Sequence, residues 1–565
     1  MKTIIGIDLG TSTTEAAIYK DGKVEMIMNL NHEVITPSAV GMDDGGNWVV
    51  GQRALSQLIL SPENTAIEVK RKIGTKEQIP IGKRSYSPVF LSAKLLEFVK
   101  TYASEHLGEE VSSAVISVPA YFNEIQRQET IKAGTQAGLD VERILNEPTA
   151  AALSYGLGHM EEESHILVYD LGGGTFDVTL LEMFEGVLEV KASAGDNQLG
   201  GKDFDEKIMD LLIGNFQKKN GVNLRTDRHA MVKLKDEAER CKKTLSTEQS
   251  YHVLIPAITT VNGQPVEVDE TITRSDFEKL VKPLIDRTHE PIDVVLADSG
   301  LSAANLDRII LVGGSTRMPI VAADIEAYLG KAPDVAVNPD YAVAEGAAIQ
   351  AAIISGAIDP SEGLVMTDVN PYSLGTRCRN DMTDDYFSVI IPRNVTIPTS
   401  RTERYYTCYP GQTAVDVDAY QGESSIASHN HFLGSFRLDG IPPRDELESI
   451  DITFSYNLNG MLDVSAKVVS TGKNASISIN MQNQEKEDLI DISDDDDWKN
   501  SPIASNYRAI IRRAERAIDR LDDDELVIEI EDLLDDLKDA ISRVDTEDAD
   551  DFEQALIEVL ESPEV

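Results

Sequence analysis

Cysteine is scarce in this chain of 565 residues: only Cys241, Cys378 and Cys408 occur, and they lie far apart. Three cysteines at such separations match neither a disulfide framework nor the spacing of zinc ligands, so a reducing cytoplasm is the expected compartment. Long apolar runs are also missing, since no stretch of about 18 apolar residues occurs that could span a membrane. The opening residues MKTIIGIDLG carry one lysine and an interrupted apolar stretch, which is not the pattern of a secretory signal.

Basic residues are few relative to acids. Lys and Arg number 52 against 97 Asp and Glu, which gives a formal net charge of −45. This charge argues against a general affinity for nucleic acid or anionic membranes, so any phosphate contact must be local. The acidity is uneven, because residues 485–565 hold 29 acids and 9 bases. The chain is too long for one hydrophobic core, and we expect several domains.

Glycine, in contrast, is concentrated in a few loops. Residues 167–181, LVYDLGGGTFDVTLL, place Gly172, Gly173 and Gly174 between two apolar strands, with an aspartate on either side. Bare backbone N–H groups of this kind can approach a phosphate closely. Alternatively, the glycines only supply positive φ in a tight hairpin. One such loop leaves both interpretations open.

Two further loops repeat the arrangement. Residues 4–19, IIGIDLGTSTTEAAIY, again order an apolar strand, an aspartate, a glycine turn and a second strand. Residues 309–319, IILVGGSTRMP, place a third glycine turn after another apolar strand. Two hairpins that face each other could hold the phosphates of a nucleotide from both sides, which leaves Asp8 and Asp170 for hydrated Mg²⁺. Together the three loops predict a nucleotide site.

Further motifs follow the glycine loops in order along the chain. They are NTAIEVKRKIG (64–74), AVISVPAYFNEIQRQET (114–130), RILNEPTAAALSYG (143–156), GDNQLGGKDFD (195–205) and ERCKKTLS (239–246). With these motifs the chain resembles the DnaK-type, seventy-kilodalton heat-shock chaperone family from residue 4 to about 481. The resemblance implies a multidomain protein. Its parts are an α/β actin-like ATPase domain of two lobes with a duplicated ribonuclease-H-like fold, a β-sandwich that binds peptide, and a short helical lid.

The implied activity is ATP hydrolysis, in which water attacks the γ-phosphate and the protein supplies mainly positioning and charge neutralisation. The implied cofactors are ATP or ADP, Mg²⁺ and K⁺. By motif position the catalytic residues are Lys70, Glu147, Asp170, Thr175 and Asp177, and the Mg²⁺ residues, largely through water, are Asp8, Glu147, Asp170 and Asp177. The implied nucleotide contacts are Gly10, Thr11, Ser12, Gly172, Gly173, Gly174, Thr175, Gly200, Gly201, Glu239, Lys242, Lys243, Ser246, Gly313, Gly314, Ser315, Arg317 and Asp340.

Each of these assignments has a purely structural alternative. Lys70 lies in a VKRK cluster and could belong to a solvated basic surface. Glu147 precedes a proline and could mark the start of a helix, whose positive end an acid stabilises. The stretch 239–246 by itself is an ordinary charged helix. The ordered set of motifs favours the functional interpretation of all three.

Other matched positions concern coupling between domains. The resemblance assigns two of them to a relay from the nucleotide, three to docking of a J-domain cochaperone, and three to the interdomain linker. A proline at the end of a strand is also common for structural reasons alone. A nucleotide exchange factor is a further implied partner. In chain order, the coupling positions are Pro119 and Arg127, then Arg143, Asn146 and Thr149, then Leu364, Val365 and Asp368.

In residues 370–481, apolar and polar residues alternate with a period of two between turn residues. This pattern predicts the short strands of a β-sandwich. A domain of this kind in the family holds an extended peptide by main-chain hydrogen bonds and a pocket for one side chain. Alternating apolar residues are also the ordinary pattern of a core. The pocket positions are Leu374, Tyr405, Val415 and Val417, with Cys408 on an arch above them. The other arch position holds Arg379 where the family usually has an apolar residue, so we expect an altered peptide preference.

The last residues carry apolar positions at helical spacing, which predicts two or three amphipathic helices that form a short lid. The third of these helices should carry Phe552, Leu556 and Val559. The short lid resembles the compact bacterial members of the family, and we expect a mostly monomeric protein. The predicted domains are the ATPase domain 1–360, a linker 361–369, the sandwich 370–482, an acidic linker 483–504 and the lid 505–565.

The implied mechanism is allosteric. ATP should favour docked domains with an open site for unfolded or extended client polypeptides, and hydrolysis should favour undocking and lid closure. Reciprocity then requires that peptide accelerates hydrolysis. Two other classes share the phosphate loops. A sugar or acid kinase would not need residues 370–481, and an actin-like filament protein would leave both the sandwich and the lid without a role.

Overall fold

A computed structural model of the chain divides it into two compact units, Met1–Asn480 and Met481–Val565. None of the helices among its described residues has both the length and the apolar composition that a membrane crossing requires. The described residues are 2–43, 45–58, 60–159, 163–184, 186–261, 263–334, 338–358, 365–380, 382–457, 462–479, 503, 507, 510, 511, 513, 514, 530, 533, 534, 537, 538, 540, 541 and 546–560.

The strands in chain order are β1 Ile4–Leu9, β2 Thr13–Lys20, β3 Lys23–Met26, β4 Thr36–Pro37, β5 Ala39–Met42, β6 Trp48–Val50, β7 Thr65–Ile67, β8 Ile79–Ile81, β9 Arg84–Tyr86, β10 Ser113–Val118, β11 Asp140–Asn146, β12 Ser164–Leu171, β13 Phe176–Phe184, β14 Val187–Asp196, β15 Ser250–Val261, β16 Gln264–Thr273, β17 Arg308–Val312, β18 Val365–Val369, β19 Leu374–Cys378, β20 Tyr386–Ile391, β21 Thr396–Ile397, β22 Thr399–Tyr406, β23 Ala414–Gln421, β24 His431–Asp439, β25 Ser449–Tyr456, β26 Leu462–Val468 and β27 Asn474–Ile479. The α-helices are α1 Gln52–Gln57, α2 Pro88–Leu107, α3 Glu124–Gln136, α4 Glu147–Gly156, α5 Gly201–Asn220, α6 Arg228–Leu245, α7 Arg274–Asp286, α8 His289–Ser299, α9 Pro319–Leu329, α10 Ala342–Ser355 and α11 Thr546–Leu560.

Two sheets of the first unit share one arrangement. In one, β1 pairs antiparallel with β2 and parallel with β10. In the other, β12 pairs antiparallel with β13 and parallel with β17. The strand orders are β11-β10-β1-β2-β3, with β4 beside β2, and β17-β12-β13-β14-β18-β21. The predicted duplication of the glycine hairpin is therefore confirmed, and each hairpin is the centre of its own sheet.

Helix α10 joins the two sheets because its small residues permit close approach. A Cβ atom added to Gly346 would lie 1.7 Å from the carbonyl oxygen of Ala150 in α4. On the facing strand β1, a Cβ added to Gly6 would lie 2.2 Å from the backbone nitrogen of Ala348. Apolar residues of both sheets pack with this helix in one buried cluster. The loops at the ends of the two hairpins are thereby held at a set separation.

Residues between 374 and 479 form two facing four-stranded sheets, β20-β19-β23-β24 and β22-β25-β26-β27. Side chains of β25 alternate strictly between buried and half-buried, as the period of two predicts. The buried ones, among them Phe454, share a core with residues of the other sheet such as Leu374. Strand β18 connects this region to the rest, since it pairs parallel with β14 and antiparallel with β21.

The second unit contains α11, which includes the predicted positions Phe552, Leu556 and Val559. Its apolar stripe packs with residues that recur at helical spacing earlier in the unit, among them Ile511 and Leu537. The predicted acidic linker 483–504 lies outside the described residues apart from Ile503. Ala517, Ile518 and Leu521, which belong to the apolar positions at helical spacing, also lie outside the described residues. The same holds for residues 361–364 of the predicted linker.

Candidate nucleotide site

The glycine turns of the two hairpins lie against each other. A Cβ atom added to Gly173 would come within 2.2 Å of Ser12 Oγ, and one added to Gly174 would lie 2.9 Å from Thr11 Oγ1. Only residues without a side chain permit this approach. The backbone of the two turns therefore faces one space from two sides, as the phosphate interpretation requires.

Helix α5 begins at the same point. The backbone N–H groups of Gly201 and Lys202 donate to the carbonyl oxygens of Gly172 and Gly173, at 3.0 and 2.9 Å. A Cβ added to Gly200 would lie 2.5 Å from the backbone nitrogen of Gly174. The positive end of a helix therefore lies at the glycine turn, where it favours an anion.

The third glycine turn closes the space from the remaining side. Gly313 has φ 84°, and a Cβ on it would lie 2.5 Å from the carbonyl oxygen of Leu171. Ser315 Oγ donates to the carbonyl oxygen of Gly172 at 2.8 Å. The space enclosed is about 610 Å³, which suits a small organic ligand. Of the predicted residues, those that line it are Asp8, Gly10, Ser12, Glu147, Asp170, Gly172, Gly173, Gly201, Glu239, Lys242, Lys243, Ser246, Gly313, Gly314, Ser315, Arg317 and Asp340.

Buried carboxylates meet at the inner end of this cavity. Burial, followed by the charge of Glu147, raises the pKa of Asp8 to about 6 and that of Asp177 to about 7. The same two causes raise the pKa of Asp170 well above its usual value. Asp177 Oδ1 accepts from the backbone N–H of Tyr121 at 2.9 Å, but among the described residues nothing donates to its buried Oδ2. Buried acids with an unpartnered oxygen fit a divalent cation and its water shell.

One lysine faces these acids. Lys70 lies in the 3₁₀ helix Val69–Lys72, is buried, and donates to Glu147 Oε1. The residue before this helix, Glu68, has φ 60°, and this turn directs the lysine inward rather than to solvent. The alternative of a solvated basic surface is therefore excluded for Lys70, while Lys72 pairs with Glu77 at the surface.

The side of the cavity predicted for adenosine is charged. Arg317 forms an ion pair with Asp340 at the third glycine turn. Burial opposes ionisation of Glu239, but the charges of Lys202 and Lys243 lower its pKa to about 2. Lys242 lines the cavity, yet its Nζ already donates to Asp205 and to the carbonyl oxygen of Gly201, both at 2.9 Å. In this arrangement Lys242 therefore holds α6 against α5.

Sequence reasoning missed Glu15. This acid lies directly opposite Asp8 in the β1–β2 pair, is buried, and lines the cavity. Burial, then the charge of Asp8, raises its pKa well above the usual value. The signal was available, because an acid in the otherwise apolar strand TEAAIY requires a polar partner. Lys202 was missed as well, and it pairs with Glu239 and Glu68.

Three of the predicted coupling positions, Arg127, Asn146 and Asp368, are linked by hydrogen bonds. Arg127 donates to the carbonyl oxygen of Ala120 at 2.9 Å and to Asn146 Oδ1 at 2.7 Å. Asn146 Nδ2 in turn donates to both carboxylate oxygens of Asp368, in β18. Pro119 begins the turn that contains Ala120, since its carbonyl oxygen accepts from the N–H of Phe122. The network therefore runs from the end of β10 to the strand that leads to the sandwich.

The three positions expected to dock a cochaperone differ in exposure. Asn146 and Thr149 are buried, and only Arg143 keeps part of its surface. Arg143 therefore keeps accessible surface, while Asn146 is already bound by Arg127 and Asp368. Leu364 lies outside the described residues.

The predicted peptide pocket is only partly accessible. Leu374 and Val417 are enclosed in the core of the sandwich, and Leu374 has no exposed surface, so it cannot contact a peptide in this arrangement. Tyr405 and Val415 lie at the edge of that core, and Tyr405 Oη lies 2.9 Å from Ser388 Oγ. The two arch positions, Cys408 and Arg379, are exposed; Arg379 pairs with Asp384 at 3.0 Å.

Comparison with known proteins agrees with this geometry. The sequence profile of the Hsp70 protein family matches residues 4–565 of the chain. The curated proteins named "Chaperone protein DnaK" from Thermotoga petrophila, Thermotoga maritima and Thermotoga neapolitana are each 46% identical to it over 492 residues. The aligned part covers 86% of this chain and 82% of each relative.

Proposed function

Because the chain belongs to the Hsp70 family and is an ATP-hydrolysing molecular chaperone, we propose that the cavity between its two glycine hairpins holds ATP or ADP with Mg²⁺ and K⁺. The observation that carries this proposal is a cavity lined by three glycine turns and by Asp8, Glu147 and Asp170, with Lys70 bound to Glu147. Family membership itself establishes binding of ATP or ADP with a divalent metal, action on client polypeptides, and cooperation with cochaperones.

Each group in the cavity has a distinct task in this proposal. Bound Mg²⁺ would neutralise charge on the phosphate oxygens, and Asp8, Glu147, Asp170 and Asp177 are the residues that would hold it, largely through water. The backbone N–H groups of the glycine turns bind the phosphates, and Thr11 and Thr175 add hydroxyl groups. Lys70, held by Glu147, orients the attacking water and stabilises charge on the γ-phosphate.

The same cavity is connected to the sandwich through the loop that contains Tyr121. The backbone N–H of Tyr121 donates to Asp177, and its carbonyl oxygen accepts from the hydroxyl of Tyr372 at 3.0 Å. The rings of these two tyrosines lie 4.4 Å apart. A change at the metal site that moves Asp177 would therefore move a residue in contact with the sandwich, which supports coupling between nucleotide and peptide.

The finer architecture follows from the same reasoning. We assign the two sheets that carry the hairpins to an actin-like ATPase domain, residues 370–482 to a peptide-binding β-sandwich, and residues 505–565 to a short lid. Tyr405 and Val415 keep exposed surface and would contact a hydrophobic side chain of the client. Arg379 would disfavour basic clients. A J-domain protein and a nucleotide exchange factor are the proposed cochaperones, and a reducing cytoplasm is the proposed compartment.

The test measures ATP turnover and peptide release on the same protein. A labelled extended peptide is bound first, and Mg²⁺–ATP is then added in excess. We expect ATP to accelerate dissociation of the peptide and peptide to accelerate ATP hydrolysis. If the protein hydrolyses ATP but releases peptide at an unchanged rate, the assignment of the cavity stands and the proposed coupling is wrong.

A further inference from the structure

A group of three potential metal ligands lies outside the nucleotide cavity. Asp286 ends α7, His289 begins α8, and Asp324 lies in α9. One ligand atom from each residue lies within 4.8 Å of the other two. His289 Nε2 and Asp324 Oδ2 are 2.7 Å apart. None of the three lines the nucleotide cavity, so the group is not explained by ATP binding.

We propose that Asp286, His289 and Asp324 bind Zn²⁺ or a divalent transition metal of the same class. One imidazole nitrogen and two carboxylate oxygens are ligands that zinc accepts, and a water completes such a site. Zinc bonds to these atoms are about 2.0–2.2 Å long, so the ligand atoms need only small side-chain movements to reach one ion. The imidazole disfavours Mg²⁺ and Ca²⁺, which prefer oxygen ligands.

Two of the ligands are already oriented. The ring of His289 stacks on that of Tyr328, with centroids 3.8 Å apart and planes 7° apart. Tyr328 is itself held, because its hydroxyl donates to Asp293 Oδ1 at 2.7 Å. The side chain of Asp324 is only 9% exposed. Side chains held in this way bind a metal more tightly, because less freedom is lost on binding.

Lys282 is the competitor for this site. It forms ion pairs with Asp286 and with Asp324, the latter at 3.0 Å, and so neutralises part of the charge that a metal would neutralise. Its side chain is 46% exposed, and it can turn to solvent when a metal arrives. The lysine holds the two carboxylates near each other without a metal, and its removal should strengthen metal binding.

Metal binding would tie three helices together. The ligands come from the α7–α8 corner and from α9, which lie far apart in sequence. Because α8 also packs against β13 and β14, the metal would stiffen the sheet that carries Asp177. This role is additional to ATP hydrolysis, and it does not depend on the proposed function.

The experiment titrates Zn²⁺ into the untagged full chain with saturating Mg²⁺–ADP, so that the acids of the nucleotide cavity are occupied. We expect one Zn²⁺ per chain, with affinity reduced at least about tenfold in His289→Gln and in Asp324→Asn. Lys282→Met should bind Zn²⁺ more tightly than the wild type. The control is His252→Gln, because His252 also lies 2.7 Å from a single carboxylate, on Asp269, and the described residues offer it no third ligand.

Thermal unfolding provides the second readout and shows that each variant is folded. Zn²⁺ should raise the unfolding midpoint of the wild type and of His252→Gln, and leave that of His289→Gln unchanged. Equal Zn²⁺ affinity in the wild type and in His289→Gln would overturn the proposal. So would the absence of Zn²⁺ binding once Mg²⁺–ADP is bound.

Discussion

Asn146 Nδ2 lies 2.8 and 2.9 Å from the two carboxylate oxygens of Asp368, and both residues are buried. Asn146 immediately precedes Glu147, which lines the nucleotide cavity. The strand that leads to the sandwich is therefore bound one residue away from the proposed metal site. This short path is the physical basis that we propose for coupling between nucleotide and peptide.

Removal of this contact should uncouple the two sites. Asp368→Ala leaves Asn146 without its acceptors in a buried position, which disfavours docking of β18. We expect basal ATP hydrolysis to remain and its stimulation by peptide to be lost. The control is Asp416→Ala, since Asp416 pairs with Arg437 on the exposed face of the sandwich. Stimulation that persists in Asp368→Ala under steady-state conditions would show that the contact is not needed.

Lys70 should be required for hydrolysis rather than for binding. Lys70→Ala removes the charged donor that we assign to the γ-phosphate, and a loss of about 10²–10³ in kcat is typical for one such donor. Affinity for ADP should change little. Lys72→Ala is the matched control, because Lys72 lies in the same 3₁₀ helix and pairs with Glu77 at the surface. Equal rates in the two variants, measured by single-turnover hydrolysis, would remove Lys70 from the mechanism.

Docking of the sandwich should depend on pH through Glu124. Its backbone N–H donates to Gln421 at 3.0 Å and its carboxyl accepts from Tyr456 at 3.3 Å. Burial raises the pKa of this carboxyl to about 7, although contacts with Gln128, Arg127 and Tyr456 act to lower it. When undocking exposes the carboxyl to water, its pKa should fall toward the usual value of 4.5. The docked form therefore binds a proton more tightly, and docking strengthens as pH falls from about 7 toward 4.5.

The measurement is small-angle scattering of the ATP-bound protein across this pH range. The wild type should become more extended as pH rises through 7, while Glu124→Gln should stay compact. Glu97→Gln, which changes an exposed carboxyl on α2, should behave as the wild type does. A pH profile of Glu124→Gln that equals that of the wild type would assign the effect to another group.

Two glycines in helices should respond oppositely to alanine. Gly346→Ala places a Cβ 1.7 Å from the carbonyl oxygen of Ala150, and overpacking of this kind costs about 1–3 kcal/mol or more. Gly214, inside α5, has no atom within 4 Å of an added Cβ. There alanine should stabilise the helix by about 0.5–1 kcal/mol. Thermal unfolding midpoints compare the two variants, and a stabilising Gly346→Ala would contradict the packing of α10.

Local patterns were sufficient to predict the hairpins and the three glycine turns of the cavity, whereas Lys70 and Glu147 were assigned through the family resemblance. The glycine turns at Gly10 and Gly172–Gly174 follow apolar strands directly, so their order alone indicates which backbone segments face the ligand. The adenosine residues were reached through the family resemblance. The duplicated sheets followed from the repeated hairpin.

Contacts between distant segments could not be predicted in the same way. Glu124 and Tyr456 are 332 residues apart, and neither residue carries a local signal of the other. The burial of Leu374 in the core, where a pocket position was expected, could not be predicted for a related reason. A period of two identifies the inner face of a strand but not whether a position on it lines a pocket or the core, because that depends on the facing sheet.

The central claim is that the nucleotide cavity and the peptide site act as one system. The most direct measurement is single-turnover ATP hydrolysis, with and without an unfolded client peptide, by the wild type and by Val415→Phe. Phenylalanine at this position at the edge of the sandwich core should fill the pocket and exclude the client side chain. We expect peptide to accelerate hydrolysis in the wild type but not in Val415→Phe, with equal rates in its absence. A wild-type rate that never responds to peptide would contradict the account.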